Sequence, residues 1–400
     1  MNLPEGWKIT TLGEVSEFIN GDRGKNYPNQ KDFITTGIPF INAGHIQNGN
    51  INFDSMNYIS DQKFNCLGSG KVQHNDILYC LRGSLGKNAI VNDIKKGAIA
   101  SSLVIIRPHK NISTKYLYYF LNSPLGKTEI YKYDNGSSQP NLSAKSVKSY
   151  KIPLPPIASQ RTIANILDKA DEIIRKRKEA IALTEQLLKS TFLDMFGDPV
   201  INPKGWEVVQ LSKIADFENG DRSSNYPSGK DIIENGILFL NTKNIVNNQL
   251  NLGIKQYISE EKFNSLTRGK LKKGDLLITL RGTLGNCCIF DSEYRTGFIN
   301  AQMMIIRVKP NISNKFIHAL LTSKQLNNFL QMIGNGAAIP QLTAKQIKEL
   351  GVYNPPIELQ NKFSDFIEKI TKLKEKHYQN LQESENLFNS LLQKAFKGEL

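Results

Sequence analysis

Two arginines in matching turns are the residues of this chain whose type and position best suit an anionic ligand. Arg82 lies in the segment LRGSLG and Arg281 lies in LRGTLG. Each follows an apolar stretch, so a strand would end where the turn begins and the turn would present the guanidinium outward. A guanidinium binds guanine O6 and N7, or a phosphate, through paired hydrogen bonds. The alternative is a structural ion pair with a carboxylate such as Asp76 or Asp275.

A second pair of arginines, Arg23 and Arg222, lies in two identical Asn-Gly-Asp-Arg turns. Turns of small and polar residues expose their side chains, so both arginines are candidates for contacts with a phosphate-bearing ligand. The neighbouring aspartate of each turn could instead pair with the arginine, and the sequence leaves both roles open. Ser84 and Thr283, which lie two residues after Arg82 and Arg281, are candidates as hydroxyl donors.

Two segments rich in small residues, GSSQPN (136–141) and GAAIPQ (336–341), form a third matching pair. Small residues allow the backbone to approach a sugar–phosphate closely, and Gln139 or Gln341 could form hydrogen bonds with an adenine edge. A simple chain reversal is the alternative. The candidate DNA-contacting residues predicted from the sequence are Arg23, Arg82, Ser84, Ser137, Ser138, Gln139, Arg222, Arg281, Thr283 and Gln341.

No catalytic constellation is predicted from the sequence. The segment NPPI (354–357) resembles the N-P-P-[YF] loop of amino-group methyltransferases, but Ile357 replaces the aromatic residue and the first half has LPPI at the corresponding place. The sequence has neither a glycine-rich S-adenosylmethionine turn nor a phosphate-binding loop, and its histidines and cysteines do not have metal-ligand spacing. We therefore predict no catalytic residue, no cofactor and no metal.

The cysteines also indicate the cellular compartment. Cys66, Cys80, Cys287 and Cys288 do not recur at matching positions of the two halves, which is typical of free thiols in a reducing compartment. The N-terminal segment has no signal-peptide pattern, and no apolar run has the length of a membrane span. We expect a cytoplasmic protein.

The paired segments belong to a duplication that covers the chain. Trp7 recurs as Trp206, and the segment PPI that begins at Pro155 recurs from Pro355. In a chain of 400 residues, each copy is large enough to form a domain. The net charge of +14 favours a polyanionic ligand, and two similar units suit duplex DNA, which has two-fold character.

Each half is predicted to contain a mixed α/β body followed by one long helix. In the first body, the alternating stretch 7–12 and the stretches 38–41, 76–81 and 103–106 predict strands. The segments after Ser113 and Ser313 predict capped helices. Consecutive prolines mark the start of each long helix. The predicted boundaries are 1–154 for the first body, 155–198 for the central helix, 199–354 for the second body and 355–400 for the C-terminal helix.

Heptad-spaced residues predict that the two long helices pair with each other. The first helix has one stripe at Ile166, Ala170, Ile173, Ala180 and Leu187 and another at Leu167, Ile174, Ile181 and Leu188. The second helix has a stripe at Phe363, Phe366, Ile370, Leu373, His377, Ser384, Leu387 and Leu391. If an approximate two-fold axis relates the halves, the helices must run antiparallel, and Arg177 and His377 could fix their register. Packing of each helix on its own body is the alternative.

Together, these motifs resemble the specificity subunits of type I restriction–modification systems over the whole chain. The resemblance rests on the near-equal halves, the two LRG[ST]LG turns, the PPIxxQ segments at the helix starts and the final AFKGEL. It also rests on two further repeated patterns, which are L-x-x-[IV]-[AS]-x-F-x-N-G at 12–21 and 211–220 and G-x-x-x-P-x-L-[ST] at 136–143 and 336–343.

The resemblance implies an α+β fold in which two similar mixed α/β target-recognition domains, 1–154 and 199–354, are joined by two long helices. These helices would form an antiparallel coiled coil with pseudo-two-fold symmetry. It also implies a non-catalytic subunit that recognises a bipartite target in double-stranded DNA. Methyltransferase (modification) subunits, two of them, would bind at the helices and methylate adenine, and restriction translocase subunits would supply ATP-dependent cleavage. A stand-alone DNA methyltransferase and a coiled-coil protein-binding scaffold are the alternatives.

Overall fold

The computed structural model describes residues 4–133, 141–334 and 340–400, which form two compact units. Unit 1 contains Met1–Lys178 and Gln379–Leu400, and unit 2 contains Glu179–Tyr378. Each long helix therefore begins in one unit and ends in the other.

Unit 1 has mixed helix and strand content. Its strands are β1 (Lys8–Thr11), β2 (Ser16–Asn20), β3 (Ile38–Ile41), β4 (Ile46–Gln47), β5 (Asn50–Ile51), β6 (Asn57–Ile59), β7 (Ile77–Cys80), β8 (Asn88–Ile90), β9 (Ala98–Ile99), β10 (Leu103–Pro108) and β11 (Lys151–Leu154). Its helices are α1 (Leu12–Val15), α2 (Asp61–Cys66), α3 (Thr114–Asn122), α4 (Pro124–Tyr133), α5 (Ala144–Lys148) and the first part of α6 (Ile157–Phe196), with short 3-10 helices at Gln30–Asp32 and Ala43–His45.

The central sheet of unit 1 has the strand order β2-β10-β7-β8, with antiparallel pairing throughout. Successive residues of β7 alternate between two buried cores, because side chains of a strand point to opposite faces. Ile77 and Tyr79 lie in the core that α3 covers, whereas Leu78 and Cys80 lie in the core on the other face. The continuous apolar run therefore reflects a strand that is buried on both faces.

Unit 2 repeats the sheet orders of unit 1, with a central sheet β13-β21-β18-β19. Its strands are β12 (Val208–Gln210), β13 (Ala215–Asn219), β14 (Ile237–Leu240), β15 (Ile245–Val246), β16 (Gln249–Leu250), β17 (Gln256–Ile258), β18 (Leu276–Thr279), β19 (Cys287–Ile289), β20 (Gly297–Ile299), β21 (Met303–Val308) and β22 (Gly351–Tyr353). Its helices are α7 (Leu211–Ile214), α8 (Glu260–Ser265), α9 (Asn314–Thr322), α10 (Lys324–Gly334), α11 (Ala344–Lys348) and the first part of α12 (Ile357–Lys397), with 3-10 helices at Gly229–Asp231 and Thr242–Asn244. The predicted duplication is thus present in the fold.

In unit 1, the first part of α6 packs against the last part of α12. Leu167 of α6 and Phe396 of α12 lie in the same buried core. Further along α6, Lys178 forms an ion pair with Glu385 of α12 at 2.9 Å. Residue numbers rise along one helix as they fall along the other, so the two segments run antiparallel.

In unit 2, the last part of α6 packs against the first part of α12 in the same antiparallel sense. Glu185 forms an ion pair with Lys374, and the ring centroids of Phe192 and Phe363 lie 5.6 Å apart. Burial of an aromatic side chain of this size contributes about 2–3 kcal/mol. The predicted antiparallel direction is therefore observed within each unit.

The stripe that α6 buries is the second of the two predicted ones. Leu167, Ile174 and Ile181 are buried, whereas Ile173 and Leu187 of the first stripe are 48% and 47% exposed. The prediction that the first stripe forms the buried seam is therefore wrong. Two stripes one position apart share the same period, so heptad spacing alone cannot distinguish them.

The stripe predicted for α12 is only partly buried. Phe363 and Ile370 are buried, but Leu373 and Leu387 are 42% and 59% exposed. His377, like Arg177 of α6, is partly buried. In the parts of the chain that the structure covers, no helix is both long enough and apolar enough to cross a membrane.

We expect acid to destabilise unit 2 through His318 of α9. Burial lowers the pKa of His318 below 6.5, although the carbonyl oxygens of Cys287 and Asn248, each 3.0 Å from Nε2, act in the opposite direction. The stability that neutral His318 contributes is fully present above about pH 6.5. It is lost as the pH falls from there through the lower folded-state pKa, because the unfolded chain then binds more protons.

Thermal unfolding measured at about pH 7.5 and about pH 5.5 tests this expectation. The variant His318→Gln retains an N–H donor and does not titrate, so its Tm should depend less on pH than that of the unsubstituted chain. Tyr118 occupies the corresponding position of unit 1, and its variant Tyr118→Phe serves as a control whose pH dependence should be unaltered. An equal acid sensitivity of His318→Gln and the unsubstituted chain would count against this role.

Candidate nucleic-acid interface

Arg82 and Arg281, which we call the turn arginines, begin the hairpin turns between β7 and β8 and between β18 and β19. Gly83 and Gly282 follow them with φ angles of 74° and 82°, which only glycine adopts readily. A Cβ at either glycine would meet no atom of the described residues within 4 Å, so each turn is open with respect to that part of the chain. The turn arginines are both exposed.

The carboxylates that could have paired with the turn arginines bind other residues. Asp76 accepts hydrogen bonds from Arg107 Nε at 2.8 Å and Nη2 at 2.9 Å. Asp275 accepts from Arg307 Nε at 2.8 Å and Nη2 at 2.7 Å. The alternative of an ion pair with Asp76 or Asp275 is therefore wrong. Within the described ranges, neither turn arginine forms a salt bridge with a carboxylate.

The aspartates of the two Asn-Gly-Asp-Arg turns bind backbone N–H groups instead of their neighbouring arginines. Asp22 accepts from Gly24 and Gly68 at 2.7 Å each, and these bonds lower its pKa. Burial raises the pKa of Asp221, but hydrogen bonds from Ser223 and Thr267 outweigh that effect and bring it to about 2. Both carboxylates are thus ionised structural acceptors that hold the turns.

Arg23 and Arg222 are exposed, and each anchors one end of its guanidinium on a carbonyl oxygen. Arg23 Nη2 lies 3.5 Å from the carbonyl of Ser101, and Arg222 Nη2 donates to that of Ala301 at 3.0 Å. The alternative in which the neighbouring aspartate pairs with the arginine is therefore wrong in both turns.

In unit 1, Arg23 and Arg82 line the same cleft, which has a volume of about 330 Å³. Lys145 and Asn141 line it as well, together with Asn20. The sequence reasoning missed these three residues. A usable signal for the lysine was present, because Lys145 recurs as Lys345 in the second copy. The cleft brings three cationic side chains together and is suited to a phosphate-bearing ligand.

In unit 2, Gln341 lies directly beside Arg281. Their backbones form an isolated antiparallel bridge, and Arg281 Nε donates a hydrogen bond to Gln341 Oε1 at 3.1 Å. Gln341 is partly buried, whereas Thr283 and its counterpart Ser84 are exposed in their turns. The predicted candidates Ser137, Ser138 and Gln139 lie outside the described residues.

The segment that resembles a methyltransferase loop has a structural role. The Asn354 side chain accepts a hydrogen bond from Gln360 Nε2 at 3.2 Å, and Pro355 is buried. Gln360 is itself fully buried and also donates to the carbonyl of Pro355. In the three ranges that the structure describes, no cluster of histidine, cysteine and acidic side chains is arranged to hold a metal ion.

The long helices carry four exposed apolar residues at matching positions of the two copies, which we call the exposed stripe. It consists of Ile173 and Leu187 on α6 and of Leu373 and Leu387 on α12. Their recurrence at matching positions of two duplicated helices makes these four side chains candidates for contacts with a protein partner.

Comparison with known proteins identifies one family twice along the chain. The model of the type I restriction modification DNA specificity domain matches residues 4–183 and 203–383. The chain is 22% identical to the type I restriction enzyme MjaVIII specificity subunit of Methanocaldococcus jannaschii, over 98% of this chain and 93% of that protein. It is 25% identical to the EcoKI specificity subunit of Escherichia coli, over 100% of this chain and 90% of that protein.

Solved structures show the same fold. A chain from a study of complex assembly and conformational transition of the type I R-M system matches with a TM-score of 0.66 at 20% identity, over 100% of both chains. The type I restriction-modification S subunit from M. genitalium matches with a TM-score of 0.57 at 17% identity, over 99% of this chain and 96% of that one.

Proposed function

Because the chain belongs to the family of type I restriction modification DNA specificity domains, we propose that its two similar halves each recognise one half of a bipartite DNA target. The chain is a non-catalytic DNA sequence-recognition subunit. The recognition domains are residues 1–154 and 199–354, and the helical segments 155–198 and 355–400 join them.

The observation on which this proposal rests is the pair of turn arginines. Both are exposed at the tip of the same hairpin in the two units, and both are free of carboxylates in the described chain. A net charge of +14 supports binding to a polyanion. Arg23, Lys145 and Arg222 contact phosphates, and the turn arginines reach base edges in the major groove.

The partners follow from the same assignment. Relatives are named as specificity subunits of type I restriction enzymes, and such a subunit associates with modification and restriction subunits. Because the exposed stripe recurs at matching positions of two helices, we place two modification subunits on it. Restriction translocase subunits complete the complex, and double-stranded DNA in the cytoplasm is its target.

Selection of tight-binding duplexes from a randomised pool, with the full chain as bait, tests the function. We expect an enriched motif of two half-sites separated by unspecified base pairs, and an affinity that falls steeply as salt rises. The variant with both Arg82→Ala and Arg281→Ala should lose the motif.

Two results would contradict the assignment. Enrichment without any motif, together with salt-insensitive binding, would favour the protein-binding scaffold. Methyl transfer from labelled S-adenosylmethionine to DNA by the purified chain alone would favour the stand-alone methyltransferase.

A further inference from the structure

Gln341 holds the guanidinium of Arg281 in one orientation. The hydrogen bond between Arg281 Nε and Gln341 Oε1 is 3.1 Å long, and it joins residues 60 apart in the chain. The backbone around it is fixed, since Leu342 N–H donates to the Leu280 carbonyl at 2.8 Å beside the bridge between Arg281 and Gln341. The orientation of the guanidinium is therefore set by two paired backbone segments.

This contact determines which edge of the guanidinium remains available. With Nε engaged by Gln341, the two terminal nitrogens Nη1 and Nη2 remain as a planar pair of donors. A planar pair of this kind matches the O6 and N7 acceptors of guanine in the major groove. A side chain that is already held loses little rotamer freedom when it binds, so its geometry is selective.

On this basis, and resting on the proposed function, we propose that Arg281 recognises a guanine in the half-site of unit 2 and that Gln341 is its positioning residue. Gln341 then acts on the DNA through Arg281, which uses one acceptor site of its amide oxygen. The hairpin tip that carries Arg281 also exposes Thr283 and is open around Gly282, which allows it to enter a groove about 12 Å wide.

Unit 1 lacks this arrangement. Asn141 forms the corresponding backbone bridge with Arg82, but its side chain is one methylene shorter. Both residues lie in the described part of the chain, and their side chains form no hydrogen bond with each other there. The two units therefore hold their turn arginines differently, and we expect Arg82 to discriminate between bases less sharply than Arg281.

The duplex selection with the full chain tests the proposal through three variants. Arg281→Lys retains the charge but loses the planar pair of donors, and it should reduce the preference for guanine at one position by about tenfold or more. Gln341→Met has nearly the same shape but no acceptor, and it should reduce that preference by about fivefold. Gln341→Glu restores an acceptor for Nε, so it should retain the preference while its added negative charge weakens binding to all sequences.

The outcomes separate this proposal from the function on which it rests. If the unsubstituted chain selects no motif, the proposed function itself fails. If it selects a motif and Arg281→Lys or Gln341→Met weakens all sequences equally, Arg281 is a phosphate contact and the positioning role is overturned. Loss of an adenine preference in Gln341→Met alone would also overturn it. Thermal unfolding of each variant tests whether the fold is retained, and the half-site of unit 1 serves as an internal control.

Discussion

Removal of seven residues from each long helix is expected to shorten the unspecified spacer of the DNA target while leaving the half-site sequences unchanged. The segments to remove are 178–184 of α6 and 377–383 of α12. Seven helical residues rise by about 10 Å, and a base pair rises by about 3.4 Å, so the spacer should shorten by up to about three base pairs. The duplex selection with the shortened chain measures this directly.

The contacts within the two units determine where the helices can be cut. Lys178 pairs with Glu385 in unit 1, and Glu185 pairs with Lys374 in unit 2. The deleted segment of α12 lies between Lys374 and Glu385, whereas the deleted segment of α6 includes Lys178, so the ion pair with Glu385 is lost. The ion pair between Glu185 and Lys374 and the aromatic contacts near the helix ends remain. Removal of a whole heptad keeps the buried stripe in phase, so Leu167 and Ile174 stay on the same face as Leu188.

Two controls make this prediction specific. Deletion of 178–184 alone should lower the Tm, because α12 then has no matching partner segment. Removal of three residues from each helix changes the phase of the buried stripe and should also lower the Tm. A full double deletion that binds DNA with an unchanged spacer would show that the helices do not set the distance between half-sites.

Local elements were predictable because their signals are local. The apolar stretch 76–81 corresponds to β7, and the stretch 38–41 corresponds to β3. The serine caps were predictable in type but not in detail: Ser313 accepts from the Phe316 N–H, whereas Ser113 caps its helix without a side-chain hydrogen bond. Repetition of whole segments then extended these local assignments to a duplicated fold.

Contacts between distant residues were not predictable, because they depend on strand register. Asp76 and Arg107 are 31 residues apart, and they meet only because β7 and β10 pair with Ile77 opposite Ile106. The sequence therefore offered Asp76 as a partner for Arg82, which the structure excludes. The pairing of Arg281 with Gln341 has the same origin.

The candidate interface shows a further limit of prediction from the sequence. Each of Arg23 and Arg82 was a candidate on its own, but only the fold places them in one cleft with Lys145. The exposed stripe was misread from the sequence as part of the buried seam, because periodicity reports a face of a helix and not what covers that face.

Charged substitutions in the exposed stripe are expected to release the modification subunits from a chain that still folds. We expect Leu187→Glu combined with Leu387→Glu to weaken binding of a modification subunit by about a hundredfold at each site. A buried aliphatic contact at the centre of an interface is worth about 2 kcal/mol or more, and an unpaired carboxylate there adds a further cost. Native mass spectrometry of the co-purified complex measures how many modification subunits remain bound.

The fold should tolerate this change. Leu187 and Leu387 are 47% and 59% exposed, and surface substitutions of this kind alter stability by about 0.5 kcal/mol or less. Ile254→Glu is the matched control, since Ile254 is 76% exposed but lies in a loop of unit 2 and belongs to neither long helix. That variant should retain all of its modification subunits.

The single variants test whether the duplicated helices carry two equivalent sites. If each modification subunit binds the exposed stripe of one helix, Leu187→Glu and Leu387→Glu should each remove one subunit, and the combined variant should remove both. Loss of both subunits from a single variant would instead mean that one helix provides the whole docking surface. The matching of Leu187 with Leu387 and of Ile173 with Leu373 would then result from the duplication alone, without a shared role in binding. Retention of two subunits by the combined variant would exclude the exposed stripe as the docking surface, since two carboxylates could not be buried unpaired at an aliphatic interface without a large loss of affinity.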